Sequence, residues 1–365
     1  MTFGARALIR LGALRHNFKV IRSAAPDSKI MAVIKANAYG HGMLAVAKSL
    51  PEVDAFAVAR MSEAIQLRDS GVAVPIVLLS GVCSKQDLLL AMDRDFQPVV
   101  HTQEQIELLA SCTEGGVSIW LKFDTGMSRL GFAPDDAHEL IERVRELPAV
   151  RQLGLMTHLA NADVLESDAT VAQLKRFRHF IADFDGAVSI ANSPAIFGWP
   201  EVSGAISGAN CERWIRPGLA LYGISPFPDK TGTDLGLKPV MQFEARLIAV
   251  KSLSKDARVG YGGVYQCAAD TVMGVISTGY GDGYSRQFRT GTPVLMNGRK
   301  VPLIGNVSMD MIAVDLGTGA QDRIGDIATL WGDGLPVEEV APWANAITYE
   351  LVCGISNREA SVIAD

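Results

Sequence analysis

The sequence has few cysteines and lacks the patterns that cysteines form in secreted or zinc-binding proteins. Its five cysteines are odd in number, widely scattered and never arranged as a Cys-x-x-Cys pair. This usage provides neither a disulfide framework nor a zinc cluster, and it is typical of reduced thiols in a cytoplasm. The six histidines also lack the spacing of metal ligands. We therefore expect a protein without a metal site.

Long apolar runs and an excess of positive charge are absent as well. No run is long enough to span a bilayer, and Met1–Arg10 has no apolar core of the length found in signal peptides. The 34 basic residues are outnumbered by 40 acidic ones, and the net charge of -6 argues against nucleic acid as the main partner. We therefore expect a cytoplasmic enzyme or binding protein for a small molecule, with no membrane or nucleic acid partner.

Between about residue 30 and residue 222, short apolar runs alternate with segments of helical character. Near-continuous apolar strands separated by helices predict a parallel sheet that is covered on both faces. The eight strand candidates are Ile30–Ile34, Ala55–Ala59, Pro75–Leu79, Pro98–Val100, Val117–Phe123, Gln152–Thr157, Ala187–Ile190 and Trp214–Leu221. Eight such units favour an α/β fold of the (β/α)8 TIM-like barrel type. An open, doubly wound sheet is the alternative that the same periodicity allows.

The last third of the sequence has a different pattern. Pro226–Asp229 and Thr231–Gly236 form a turn-rich stretch that predicts a linker. Short runs broken by glycine follow, and Asn297-Gly298 between two apolar runs predicts a β-hairpin. We therefore expect a barrel domain over residues 1–230 and a C-terminal mainly-β domain over residues 231–365. The extreme N-terminal segment is a candidate for packing with the second domain.

Lys35 lies where the first predicted barrel strand ends. Barrel enzymes carry their chemistry at the C-terminal ends of the strands. A lysine that leaves an apolar strand is partly desolvated, which lowers its pKa towards the neutral amine that forms a Schiff base. A surface lysine after a strand explains the position equally well, so the other strand ends must decide between the two readings.

Polar or ionisable residues follow several other predicted strands. They are Lys122 and Asp124–Gly131 after the fifth strand, His158 after the sixth, Ser193 after the seventh, and Arg216 with Gly218 in the eighth. Ser193 and the backbone N–H groups near Gly218 belong to the region where barrels commonly bind a phosphate. Each residue alone has a purely structural explanation, but their convergence on one barrel mouth predicts a binding or active site.

The sequence resembles the alanine racemase family over essentially its whole length. The most specific marker is Ala32–Gly42, AVIKANAYGHG, which resembles the family's cofactor-attachment signature. Asp124–Gly131, Val259–Gly262 and Gly279–Gly283 match further family segments. The resemblance implies a homodimeric enzyme that interconverts L-alanine and D-alanine with pyridoxal 5'-phosphate as its cofactor. Its product would supply peptidoglycan synthesis, or the enzyme would serve alanine catabolism.

The resemblance also implies roles for individual residues. Lys35 would be the Schiff-base lysine and one catalytic base, and Tyr261 of the partner subunit would be the second base on the opposite face. A phenol needs a cationic neighbour to act as a base, and His158 and Arg216 are the candidates. Arg216 would also donate a hydrogen bond to the pyridine nitrogen without protonating it. The remaining implied roles are phosphate contacts by Tyr39, Ser193, Gly218 and Tyr349, a cofactor contact by His158, substrate-carboxylate contacts by Arg129 and by Met309 of the partner subunit, carbamylation at Lys122, and an entrance lined by Asp163, Tyr280 and Arg286.

Two features depart from the family pattern. Asn306 stands where many relatives carry an arginine, and the tail Ser356–Ser361 lacks an Arg-Val-Pro-Arg-like ending. Both affect the expected entrance electrostatics and leave the reaction chemistry intact. A racemase of broader specificity, acting on serine or lysine, therefore remains an alternative, as does a non-catalytic protein that binds the cofactor. A related decarboxylase is disfavoured, because its motifs are absent and Tyr261 would have no role.

Overall fold

The computed structural model describes residues 4–200, 202, 211–356, 358 and 362–365. The chain divides into two compact units. Phe18–Ala38 and Met43–Leu221 form one of them, which we call the barrel unit. Met1–Asn17, Tyr39–Gly42 and Tyr222–Asp365 form the other, which we call the β unit.

Eight parallel strands of the barrel unit close into a barrel in the order of the sequence. The strands Ala55–Val58, Ile76–Leu78 and Val117–Lys122 are buried along their whole length, as expected for a parallel sheet covered on both faces. The last strand pairs with the first, so the TIM-like barrel is confirmed and an open doubly wound sheet is excluded. The strands are Lys29–Val33, Ala55–Val58, Ile76–Leu78, Phe96–Val100, Val117–Lys122, Val150–Met156, Ala187–Asn192 and Glu212–Arg216.

The eighth barrel strand is shorter than the sequence predicts. It ends at Arg216, whereas the predicted strand continues to Leu221. Pro217 has no N–H group for a ladder, although its carbonyl oxygen accepts a hydrogen bond from the N–H of Val33 at 2.9 Å. The apolar run that follows forms the 3-10 helix Leu219–Tyr222, so its burial comes from a tight turn.

Most of the α-helices lie between barrel strands, and two of them begin with hydroxyl caps. Ser84 accepts a hydrogen bond from the N–H of Asp87, and Thr102 accepts one from the N–H of Gln105. The α-helices up to residue 200 are Leu11–Ala24, Met43–Ser49, Met61–Asp69, Lys85–Asp93, Gln103–Ala110, Ala137–Arg145, Asp168–Ile181 and Ser193–Gly198. Within the described part of the chain, no helix combines the length and the apolar character needed to cross a membrane.

An eight-stranded sheet organises the β unit and confirms the mainly-β character predicted for the C-terminal region. In spatial order its strands are Thr271–Ile276, Ile312–Asp315, Arg299–Ile304, Pro293–Met296, Ile327–Trp331, Met241–Leu253, Arg6–Arg10 and Val362–Ala364. All neighbours are antiparallel except the last two, which are parallel. The predicted hairpin turn is present, with φ of 46° at Asn297 and 80° at Gly298. Positive φ at both positions is typical of a two-residue hairpin turn. Two helices near the end of the chain, Val337–Val340 and Thr348–Cys353, accompany the sheet.

The stretch that the sequence predicts as a linker is packed within the β unit. Ser225 and Phe227 are buried. The Glu338 carboxylate accepts hydrogen bonds from the N–H groups of Ser225 and Gly232, both at 2.8 Å. Because one carboxylate binds the residue before the turn-rich stretch and a residue inside it, that stretch is a fixed part of the unit.

Candidate active site

Several chemically active side chains of the barrel unit lie where its strands end. They are Lys35 after Lys29–Val33, Lys122 at the end of Val117–Lys122, His158 after Val150–Met156, Ser193 after Ala187–Asn192, and Arg216 at the end of Glu212–Arg216. Since the strands are parallel in a closed barrel, their C-terminal ends open on one mouth. Arg129 joins this group from the loop after Lys122, because Lys122 experiences the charges of Arg129, Arg216 and Lys35 together. The fold therefore brings together the residues that the sequence predicts for this mouth.

Arg216 is a buried cation at the centre of this group, with 5% of its surface exposed. Its Nη1 donates to Ser189 Oγ at 2.6 Å, and its Nη2 donates to the carbonyl oxygens of Thr157 at 2.5 Å and Ile190 at 3.2 Å. Among the described residues, no carboxylate forms an ion pair with it. Burial lowers the pKa of Arg216 to about 10, so the guanidinium keeps its charge at neutral pH. The mouth therefore presents a firmly held donor whose charge no acid in the described part of the chain neutralises.

Lys122 and Asp124 lie among other charged groups of the mouth. Burial, followed by the charges of Arg216 and Arg129, lowers the pKa of Lys122 to about 8. Partial burial acts to raise the pKa of Asp124, but hydrogen bonds from four consecutive backbone N–H groups, residues 126–129, hold it below its usual value. The loop requires Gly131, because a Cβ at its φ of +127° would lie 2.6 Å from the backbone nitrogen of Asp124.

His158 is neutral at pH 7. Burial, then the charges of Arg216 and Lys122, lower the pKa of His158 well below its usual value. Its Nδ1 lies 3.4 Å from Nη2 of Arg216. The prediction that His158 supplies a cation is therefore wrong, since desolvation and cationic neighbours both disfavour the protonated ring. Arg216 carries that charge.

Ser193 and Gly218, which the sequence predicts to lie in one phosphate-binding region, are joined by a hydrogen bond. Ser193 Oγ is buried and accepts hydrogen bonds from the N–H groups of Gly218 at 3.0 Å and Ala220 at 3.4 Å. The hydroxyl proton of Ser193 remains able to donate to an anion, because both of these contacts use the oxygen as acceptor.

The backbone after Lys35 forms a left-handed turn. The φ angles of Ala36, Asn37, Ala38 and Tyr39 all lie between 53° and 55°. A left-handed conformation costs a non-glycine residue roughly 1–2 kcal/mol, so four in succession need support from their surroundings. Within the barrel unit, Ala38 N–H donates to the carbonyl oxygen of Ile34 at 2.8 Å, and Asn37 Oδ1 accepts from the N–H of Met43 at 2.9 Å.

Sequence reasoning missed Glu63, which supports the same turn. Its Oε1 accepts a hydrogen bond from the N–H of Ala36, the residue after Lys35, at 2.6 Å. The available signal was its place in the first turn of the Met61–Asp69 helix, where acidic residues bind free backbone N–H groups. That signal predicts a helix cap and says nothing of a contact with a distant segment.

The predicted phosphate contacts of the β unit form an aromatic cluster. The ring of Tyr39 lies 5.0 Å from that of Tyr222 and 5.8 Å from that of Tyr349. His41 stacks on Tyr222 at 4.4 Å, and its Nδ1 lies 2.8 Å from the carbonyl oxygen of Tyr39. Burial raises the pKa of Tyr39 above its usual value, so its phenol stays protonated and able to donate.

The remaining predicted residues are solvent-exposed in the single chain. Tyr261, in the 3-10 turn Tyr261–Gly263, has 75% of its surface exposed, and Met309 has 53%. Asn306 Nδ2 donates to the carbonyl oxygen of Tyr261 at 3.2 Å. The predicted entrance residues Asp163, Tyr280 and Arg286 are exposed too. In the atypical tail, Asn357 and residues 359–361 lie outside the described residues.

The same family accounts for both units. Residues 9–226 match the alanine racemase N-terminal domain, and residues 240–363 match the alanine racemase C-terminal domain. The chain is 44% identical over 364 residues to the biosynthetic alanine racemase of Escherichia coli (strain K12), with 99% of each chain covered. It is 47% identical over 356 residues to the alanine racemase of Aeromonas hydrophila, covering 97% of this chain and 98% of the relative. The crystal structure of biosynthetic alanine racemase from Pseudomonas aeruginosa matches with a TM-score of 0.93 and 37% identity over the whole of both chains. This chain belongs to the alanine racemase family.

Proposed function

We propose that this protein is an isomerase that interconverts L-alanine and D-alanine with pyridoxal 5'-phosphate and two bases. The observation that carries the proposal is the barrel mouth, where Lys35 and a buried Arg216 without an acidic partner among the described residues lie at neighbouring strand ends. Family membership over nearly the whole chain supports alanine as the substrate.

The residues of the barrel mouth suit this cofactor. Lys35 offers an amine for its aldehyde, and Arg216 offers a donor for the lone pair of its ring nitrogen. The Ser193 hydroxyl offers a donor for its phosphate. The charged groups that act on Lys122 are three cations and one carboxylate, so the mouth favours a phosphorylated, anionic ligand.

Pyridoxal 5'-phosphate supplies an electron sink that acidifies the α-proton of an attached amino acid. Arg216 would limit that sink, because a guanidinium can donate a hydrogen bond to the ring nitrogen without giving up its proton. A limited sink would disfavour side reactions such as transamination. A carboxylate in place of Arg216 would keep the ring nitrogen protonated and have the opposite effect.

Inversion requires a proton to leave one face of the substrate and another to arrive on the opposite face. We assign the first face to Lys35 Nζ and the second to the hydroxyl of Tyr261 of the partner subunit. The exposure of Tyr261 and Met309 in the single chain supports their donation to a partner in a homodimer. Arg129 and the backbone of Met309 of the partner subunit would bind the substrate carboxylate.

Lys122 is the proposed carbamylation site. A pKa of about 8 leaves part of its amine neutral at physiological pH, and the neutral amine is the form that reacts with carbon dioxide. The resulting carbamate would place a negative charge beside Arg129 and hold that side chain towards the substrate.

The other proposed roles concern ligand contacts, access and context. We assign phosphate contacts to Tyr39, Ser193, Gly218 and Tyr349, a cofactor contact to His158, and the substrate entrance to Asp163, Tyr280 and Arg286. We further propose a cytoplasmic enzyme whose D-alanine supplies peptidoglycan, which the biosynthetic relative favours.

A racemase of broader specificity is the second candidate. The observation that favours it is Asn306, a neutral side chain that binds the backbone of Tyr261. The resemblance to the family predicts an arginine at this position. Comparing turnover of alanine, serine and lysine distinguishes the two candidates.

Borohydride reduction followed by peptide mapping tests the proposed attachment. We expect the reduced cofactor on Lys35, and we expect Lys35→Ala to carry none there and to form no D-alanine from L-alanine. A label on another lysine, or racemisation by the Lys35→Ala variant, would refute the assignment.

A further inference from the structure

One carboxylate joins two segments of the barrel mouth. Glu63 Oε2 accepts hydrogen bonds from the N–H groups of Ala59 and Arg60, both at 2.9 Å, just before the Met61–Asp69 helix begins. Its Oε1 accepts from the N–H of Ala36 at 2.6 Å. Glu63 therefore connects the start of this helix to the residue that directly follows Lys35.

A matched arrangement occurs two strand–helix units further along the chain. There the neighbouring segment supplies a hydrogen-bond acceptor instead of a donor. Gln105 Oε1 accepts hydrogen bonds from the N–H groups of His101 at 2.7 Å and Thr102 at 3.2 Å, just before the Gln103–Ala110 helix. Its Nε2 donates to the carbonyl oxygen of Val82 at 3.1 Å. The segment that contacts Gln105 presents a carbonyl group. The segment that contacts Glu63 presents the N–H group of Ala36. An amide suits the first partner, and a carboxylate suits the second.

The contact with Ala36 lies at the start of the left-handed turn. Because Ala36 is the first of four residues with positive φ, the turn begins at a peptide group that Glu63 binds directly. A charge-assisted hydrogen bond is stronger than a neutral one and fixes the direction of the donor. The same peptide group fixes the backbone from which the Lys35 side chain extends.

We propose that Glu63 is a positioning residue for Lys35. Its carboxylate holds the left-handed turn in register with the Met61–Asp69 helix, and this keeps the Lys35 amine at the cofactor and at one face of the substrate. The inference rests on the proposed function, in which Lys35 carries the cofactor and acts as a base.

Two isosteric substitutions separate positioning from helix capping. In Glu63→Gln, the amide oxygen can still accept the two bonds at the helix start, while the amide nitrogen faces the Ala36 N–H and cannot accept from it. In Gln105→Glu, the helix cap is likewise retained, while a carboxylate oxygen faces the Val82 carbonyl. Both variants disturb one contact between a helix start and a neighbouring segment, but only the first disturbs the residue after Lys35.

The test compares the two holoenzymes in kcat and KM for L-alanine, in thermal unfolding, and in the rate of pyridoxal 5'-phosphate release. For Glu63→Gln we expect kcat about tenfold lower and cofactor release about tenfold faster, since a small misplacement of a reacting group has effects of this size. KM should stay within about twofold, because the substrate-carboxylate contacts are elsewhere. Gln105→Glu should lower the unfolding temperature by about as much as Glu63→Gln does. It should leave kcat and the rate of cofactor release within about twofold of the wild-type values.

Equal effects of the two variants on kcat and cofactor release would overturn the inference. If the wild-type protein itself carries no cofactor on Lys35, the proposed function fails instead, so the two failures are distinct. Amide-resolved hydrogen exchange on the wild-type holoenzyme gives a readout that needs no variant. The Ala36 amide should exchange at least tenfold slower than an unprotected amide, and exchange at the unprotected rate would contradict its bond to Glu63.

Discussion

Arg216 dominates the electrostatics of the barrel mouth at the scale of single residues. It is buried and charged, and among the described residues no acid pairs with it. Burial, followed by the charge of Arg216, lowers the pKa of Lys122 to about 8 and the pKa of His158 well below its usual value. The site therefore combines cationic side chains with two groups, Lys122 and His158, that are readily neutral.

His158 should therefore make stability depend on pH in a defined direction. Its folded-state pKa is lower than the unfolded value near 6.5, so below pH 6.5 the unfolded chain binds the proton first and stability is lost. Between pH 7.5 and pH 5.5 the free energy of unfolding of the wild type should fall by about 1 kcal/mol more than that of His158→Asn. Urea unfolding at both pH values measures the difference, and identical pH dependence in the two proteins would contradict a buried neutral histidine.

At the scale of elements, the turn Ala36–Tyr39 has a strained left-handed backbone. This backbone fixes the direction in which the Lys35 side chain extends. Ala36 has an exposed side chain, so substitutions there test the backbone with little change in packing. Ala36→Gly removes a cost of roughly 1–2 kcal/mol in the folded state and adds about 0.4–1 kcal/mol of freedom to the unfolded state. We expect unchanged stability or a gain of up to about 1.6 kcal/mol.

The same exchange in a right-handed helix is the control. Ala172→Gly, inside the Asp168–Ile181 helix, should destabilise the protein by about 0.5–1 kcal/mol. Free energies of unfolding from urea titrations give both values. A loss of stability in Ala36→Gly as large as that in Ala172→Gly would mean that the left-handed turn is absent.

Elements set by local sequence could be predicted, and elements set by distant partners could not. The Asn297-Gly298 hairpin follows from two adjacent residues that tolerate positive φ, and the barrel strands follow from apolar runs. Ala-Asn-Ala-Tyr carries no signal for a left-handed turn, because alanine favours the right-handed helix. The turn is stabilised by two contacts outside it. One is with Met43, which lies beyond the end of the turn, and the other is with Glu63, which lies far from it in the sequence.

The candidate site shows the same division. Lys35 and Arg216 were predictable because strand ends of a barrel share one mouth. Glu63 was not, because its contact with Ala36 depends on how two neighbouring strand–helix units pack. The neutral state of His158 depends on burial and on the surrounding cations, which the sequence does not reveal. The sequence predicts Leu219–Leu221 as the end of a strand, which is wrong because apolar composition alone does not separate a buried turn from a strand.

At the scale of the whole molecule, the proposed function assigns Tyr261 and Met309 to the site of a second copy. Their exposure in one chain agrees with that proposal. Mixing Lys35→Ala with Tyr261→Phe tests this directly. Each mixed dimer would contain one site with both wild-type residues, and random pairing should restore about a quarter of the wild-type activity.

Each variant alone, refolded or exchanged under the same conditions, is the control and should remain nearly inactive. Sedimentation should give twice the mass of one chain for the wild type. If the mixture gains no activity although mixed dimers form, Lys35 and Tyr261 act within the same chain or not as a pair.

Proton exchange in heavy water tests the two-base account most directly. With L-alanine and D-alanine, the wild type should incorporate deuterium at the α-carbon and invert both enantiomers. Tyr261→Phe should still exchange the α-proton of the one enantiomer that faces Lys35, without inverting it, and should leave the other unexchanged. Inversion of both enantiomers by Tyr261→Phe at a rate near that of the wild type would contradict the assignment of Lys35 and Tyr261 to opposite faces.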